Sequence, residues 1–172
     1  MNLPNILSIF RIILIPIFVA IFFSGMQHSL IYSILIFLIA GFTDILDGFI
    51  ARKYNLITKW GMVLDPLADK LMLLTVLSCL VIEGYAPIWV LIIISLKDLF
   101  MIFAGMKLFH KDVVIPANKI GKLTSLLFYI SVFVLSFDKA LGKLLLYCSV
   151  LSALIAFSNY FLYYKKSSST QQ

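Results

Sequence analysis

The sequence is short of charge, cysteine and histidine. Only 13% of its 172 residues are Asp, Glu, Lys or Arg, against about 25% in an ordinary soluble domain. Hydrophobic residues make up 62%, and the mean hydropathy is +1.07. A chain of one-domain length cannot bury that much apolar surface in itself, so the surplus must face something other than water, and lipid is the natural candidate. The two cysteines, Cys79 and Cys148, lie inside apolar runs, and no CxxC or Cys/His ligand spacing occurs. They read as small core residues, which sets aside a disulfide framework and a metal role for them. The first apolar run has no basic leader and is interrupted by Arg11, so it reads as a retained segment rather than a signal peptide. No internal repeat is present.

What is there is a series of apolar runs. Six stretches reach the roughly 20 residues needed to cross a hydrocarbon core, at about 4–24, 29–51, 61–82, 86–108, 117–137 and 140–164. Short polar connectors separate them. The expected fold is all-α: an integral membrane protein with six transmembrane helices in a single domain, residues 1–164. The last residues, 165–172 (KKSSSTQQ), form a polar tail expected to be disordered. The net charge is +6. Its bases cluster at the ends of apolar runs, which suits anionic membrane surfaces better than nucleic acid. With the N-terminus inside, one side carries Arg52, Lys53, Lys59, Lys107, Lys111, Lys119, Lys122, Lys165 and Lys166, and the other only Lys139 and Lys143. That bias puts both termini in the cytoplasm, in an inner or plasma membrane.

The acidic residues are scarce and unevenly spread. Four of the eight, Asp44, Asp47, Asp65 and Asp69, fall where the second segment exits and the third re-enters, on the cytoplasmic side. Spacings of three and four put each pair on one helix face. Two segments joined by a short link are expected to be antiparallel neighbours, with the pairs facing each other across a cleft. Four carboxylates repel and are costly near lipid, so they must be protonated, paired or bound to cations. An oxygen-only set suits Mg²⁺ or Mn²⁺, often together with substrate phosphates, and the lack of nearby His or Cys argues against zinc. Gly48, Ala51 and Gly61 are small residues beside the aspartates that allow close approach of a backbone or ligand. Arg52 offers a planar donor fork suited to phosphate. The plainer alternative is helix packing with structural salt bridges.

The pattern Asp44-x2-Asp47-Gly48-x2-Ala51-Arg52-x8-Gly61-x3-Asp65-x3-Asp69 resembles, position for position, the signature of the CDP-alcohol phosphotransferases. The opening LPNILSIFRIILIP and the six-segment plan extend the resemblance over most of the chain. The resemblance implies transfer of a phosphatidyl group from CDP-diacylglycerol to an alcohol, with release of CMP. It further implies one or two Mg²⁺ or Mn²⁺ ions on Asp44, Asp47, Asp65 and Asp69. Asn5, Gly48, Ala51, Arg52 and Gly61 would contact the CDP portion together with Asp44, Asp47 and Asp65. Asp69 would be the base for the acceptor hydroxyl, and the protein would be a homodimer. Direct in-line attack needs no enzyme nucleophile. The run His110-Lys111-Asp112 lacks the HxKxxxxD spacing of enzymes that use a covalent histidine and reads as a loop, as does His28.

The acceptor is less legible. The runs NLPNILSIFR and LDPLADK are similar to the phosphatidylglycerophosphate synthases of that family, which use glycerol 3-phosphate. They are also similar to its eukaryotic-type cardiolipin synthases, which use phosphatidylglycerol; an inositol-phosphate acceptor lacks positive support. Arg11, Lys97, Lys119 and Lys122 are the candidates for an acceptor phosphate, Arg11 because an intramembrane arginine is functional by default. Two positions depart from the synthase pattern: Lys97-Asp98 stands where Arg-Glu is usual, and Gly121-Lys122-Leu123-Thr124-Ser125 where Gly-Lys-x-Lys-Thr is usual. Glycerol 3-phosphate is the favoured acceptor and phosphatidylglycerol the alternative. Two other classes compete. A UbiA-type prenyltransferase also uses aspartate pairs and Mg²⁺, but usually with more segments and distant motifs. A cation transporter would usually show internal repeats.

Overall fold

The computed structural model of the chain describes the backbone of residues 3–54, 61–109 and 119–169, and the side chains of 6–51, 53–54, 64–65, 67–100, 123–159 and 161. The described residues form six α-helices and no strand. These are α1 (Leu3–Phe22), α2 (Ser29–Lys53), α3 (Gly61–Ile82), α4 (Ile88–Phe109), α5 (Lys119–Leu135) and α6 (Lys139–Ser169). Each of the six apolar stretches is one helix. The clearest difference is at the C-terminus, where α6 runs through Lys165 and Lys166 to Ser169 rather than stopping at 164. After Gly142 the sequence holds no Gly or Pro as far as Ser169, so nothing in it ends the helix. Among the described residues, two helical spans are long and apolar enough to cross a membrane, Ser29–Ala51 and Lys139–Asn159.

Contacts divide the chain into two compact units, Met1–Ala86 and Pro87–Gln172. In the first, α1 packs extensively on both α2 and α3, and the contact between α2 and α3 is the smaller one. The helical repeat explains the arrangement. On α1, Ser8, Arg11, Leu14, Phe18 and Phe22 recur every three or four residues and are all buried. On α2 the corresponding face carries Ile34, Phe37, Ala40 and Asp47, and on α3 Ala68, Met72, Val76 and Leu80, again buried. Each stripe gains dispersion contacts along its apolar length. On α1 and α2 the stripe turns polar toward one end. The helix α3 ends in a Schellman turn: Tyr85 N–H donates to the Leu80 carbonyl at 2.8 Å and Gly84 N–H to that of Val81 at 3.1 Å. Gly84 has φ +73°, a conformation that glycine adopts without a Cβ penalty.

In the second unit, α5 and α6 form a tight pair. Asp138 caps α6, its Oδ1 accepting from the backbone N–H of Ala140 at 2.8 Å and of Leu141 at 3.1 Å. Gly142 lets the two helices close: a Cβ there would stand 2.7 Å from the Leu135 Cα. Further along, the hydroxyls of Thr124 and Ser152 meet at 2.9 Å. Ring contacts join α4 to α6, with Trp89 stacked on Tyr147 and Phe100 edge-on to Phe157.

Large apolar side chains remain exposed on every helix. Examples are Phe10 on α1, Ile45 on α2, Leu71 on α3, Leu96 on α4, Leu126 on α5 and Ile155 on α6. Apolar surface on all helices at once is the mark of a protein that meets lipid or a large partner surface.

Candidate active site

The polar ends of the stripes meet. Asp44 and Asp47, one turn apart near the end of α2, present their carboxylates on one face. Arg11 of α1 reaches both: Nη1 donates to Asp44 Oδ1 and Nη2 to Asp47 Oδ2. The planar guanidinium makes this possible, because its two forks can serve two acceptors at once. Arg11 is fully buried and the Asp47 side chain only 3% exposed, whereas that of Asp44 is 40% exposed. The cluster is therefore closed on the Asp47 side and open on the Asp44 side. One turn before Arg11, the buried Ser8 hydroxyl donates to Asp65 Oδ1 on α3. Asp47 also interacts electrostatically with both Asp44 and Asp65. The first helix thus gathers Asp44 and Asp47 of α2 and Asp65 of α3. Asp69 lies one turn beyond Asp65 on α3 and is mostly buried, with the Lys70 ammonium 3.9 Å away.

Three of the four expected aspartates are brought together through α1 rather than directly across an α2–α3 cleft. Ser8 is a member of the site that composition and charge do not mark in the sequence. Its signal is the Ser8-x2-Arg11 spacing, which puts two polar groups on one face of an otherwise apolar helix. Arg11 was expected at the acceptor phosphate; the structure finds it among the carboxylates. Gly48 and Ala51 are half-buried on α2 beside Asp47. In the second unit, Lys97 pairs with Asp98 at 2.6 Å, and both are largely shielded. The side chains of Asn5, Arg52, Lys119 and Lys122, and the surroundings of Gly61, lie outside the described residues.

Among the described residues, no three His, Cys, Asp or Glu side chains stand close enough to share a metal ion. Two of the carboxylates spend an oxygen each on Arg11 and a third spends one on Ser8. The donor set itself fits a hard cation: it is carboxylate oxygen throughout, and Asp44 is open to the surroundings.

Apolar helices, with exposed greasy surface and a carboxylate cluster at one end of their packed faces, are features that suit a membrane protein with a polar site. The chain belongs to the CDP-alcohol phosphatidyltransferase family, whose model matches residues 1–155. It is similar to curated relatives that carry the name CDP-diacylglycerol–glycerol-3-phosphate 3-phosphatidyltransferase. The one from Wigglesworthia glossinidia brevipalpis is 31% identical over 171 residues, covering 94% of this chain and 93% of that protein. The one from Haemophilus influenzae is 46% identical over 91 residues, and the one from Escherichia coli K12 is 45% identical over 89. These last two matches span about half of this chain and about half of each relative's length.

Proposed function

We propose that this chain moves the phosphatidyl group of CDP-diacylglycerol to glycerol 3-phosphate, giving phosphatidylglycerophosphate and CMP. The observation that carries the reading is the meeting of Asp44, Asp47 and Asp65 around Ser8 and Arg11, in a chain of this family whose relatives bear that reaction in their names.

The family's chemistry calls for one or two Mg²⁺ or Mn²⁺ ions, which Asp44, Asp47, Asp65 and Asp69 would hold and which would offset the charge of the pyrophosphate and of the departing CMP. Asn5, Gly48, Ala51, Arg52 and Gly61 bind the CDP portion, the small residues by leaving room and Arg52 by its donor fork. Asp69 accepts the proton of the acceptor hydroxyl. The hydroxyl oxygen forms a bond to the phosphatidyl phosphorus as the bond from that phosphorus to the CMP oxygen breaks, so no enzyme-bound intermediate arises. Lys97, Lys119 and Lys122 supply positive charge for the acceptor phosphate. Ser8 keeps Asp65 turned into the site, and the buried faces of α1 to α3 exclude water from the Asp47 side.

The membrane arrangement belongs to the same reading: six spans in a single domain, 1–164, with the polar tail 165–172 and both termini in the cytoplasm, the site facing it. Apolar surface on all six helices and the lysine and arginine bias support it. The active form is a homodimer in the bilayer, in line with the family resemblance.

One observation favours the other acceptor, phosphatidylglycerol. Thr124, standing where the synthase pattern has a second lysine, bonds to Ser152 and brings no charge to a phosphate. Supplying radiolabelled glycerol 3-phosphate or labelled phosphatidylglycerol with CDP-diacylglycerol, and resolving the lipid products, separates the two. Label in phosphatidylglycerophosphate supports the proposal; label only in cardiolipin replaces it.

A further inference from the structure

We propose that Arg11 is a positioning residue that competes with a divalent cation for Asp44 and Asp47. The inference rests on the metal part of the function proposed above and goes beyond it. The sequence placed Arg11 as a contact for substrate phosphate, and the family signature does not contain it.

Three observations carry it. The two Nη groups of Arg11 each engage one oxygen of a different carboxylate, so one guanidinium holds the α2 pair together. The contact with Asp47 is shielded on both sides, since Arg11 is fully buried and Asp47 nearly so. Among the described residues Arg11 Nε is buried without an acceptor, and the carboxylates of Asp44 and Asp47 are the acceptors that hold the two Nη groups. Arg11 is thus an internal cation bound to oxygens that a metal would need. An incoming divalent ion must take those oxygens from the guanidinium, and it feels the repulsion of a fixed positive charge in a poorly screened place. The benefit is that the mutual repulsion of Asp44 and Asp47, which helical spacing puts on one face of α2, is offset. The consequence is a site whose metal affinity is held down.

The sign of the effect separates this role from a structural one. If Arg11 only scaffolds the carboxylates, removing it loosens them and weakens metal binding. If it competes, removing it tightens binding. The test is a Mn²⁺ titration of the purified full chain in detergent, with free Mn²⁺ read by electron paramagnetic resonance. Asp47→Asn serves as the control that locates the ion. Arg11→Met is expected to bind Mn²⁺ more tightly than the parent by about fivefold or more, the lower end of ordinary coupling between sites. Arg11→Lys, which keeps the charge but loses the fork, is expected to tighten binding by less, and it carries the test alone if Arg11→Met does not fold. Affinity unchanged or weakened in the folded variants overturns the inference and leaves the metal reading in place. No binding sensitive to Asp47→Asn in the parent overturns the metal reading and the inference with it.

Discussion

Arg11 on α1 donates to Asp47 on α2, and both side chains are almost wholly shielded from solvent. A buried ion pair of this kind adds little net stability when intact, because desolvation offsets attraction, but breaking it leaves a charge alone in a place that cannot solvate it. Asp47→Ala is therefore expected to destabilise the protein by about 3–5 kcal/mol, measured by denaturant unfolding in micelles without added metal. Asp44→Ala should cost clearly less, because the Asp44 side chain is 40% exposed and water can stand in for part of what is lost. Equal losses in the two variants would mean that burial does not set the strength of this contact.

Ser8 is expected to matter for turnover through Asp65. Its hydroxyl is the donor that α1 presents to that carboxylate. Asp65 is a proposed metal ligand, and removing a group that orients such a ligand typically lowers activity about 10- to 100-fold. Ser8→Ala should lower kcat within that range while leaving KM for the acceptor near its parent value. A variant with parental kcat would reduce Ser8 to a packing residue.

Asp69 lies one turn beyond Asp65 on α3, mostly buried, with the Lys70 ammonium 3.9 Å away, and is the proposed acceptor of the hydroxyl proton. Asp69→Asn is expected to abolish turnover while binding of the CDP donor changes much less. Near-normal turnover in this variant would remove Asp69 from the proton-accepting role.

Gly142 offers a control far from this chemistry in the sequence. A Cβ at that position would meet backbone atoms of Leu135 at 2.7 Å, and backbone cannot swing away as a side-chain end can. Gly142→Ala should cost about 1–3 kcal/mol, the usual range for overpacking, seen as a lower unfolding midpoint. The KM values for donor and acceptor should stay unchanged in the protein that remains folded. A variant as stable as the parent would show that α5 and α6 can part at this point without cost.

The helices were largely legible in the sequence because their signal is coarse: about 20 apolar residues between polar connectors. The extension of α6 to Ser169 was not, because a polar composition says little about whether a helix already under way will stop. Asp44, Asp47, Asp65 and Asp69 stood out because acidic residues are rare in this chain and theirs recur at helical spacing. Their partners did not. Ser8 is a single hydroxyl in a greasy helix, and serines in such helices commonly bond back to their own carbonyls, as Ser33 and Ser78 do. Arg11 stands out by its charge, but the face of α1 on which it lies gains its meaning only when α1 packs on both α2 and α3. Which helix joins the other two is a matter of tertiary packing, and helical periodicity in each stretch does not encode it.

The central claim is that these carboxylates serve phosphatidyl transfer from a CDP-activated lipid. Its most direct test is CMP release by the purified protein with CDP-diacylglycerol and Mg²⁺, with and without glycerol 3-phosphate, before and after EDTA. The account predicts release that requires the acceptor, stops with EDTA, returns when Mg²⁺ is restored and is absent from Asp47→Asn. Acceptor-dependent release that persists in EDTA, or that Asp47→Asn retains in full, would contradict it.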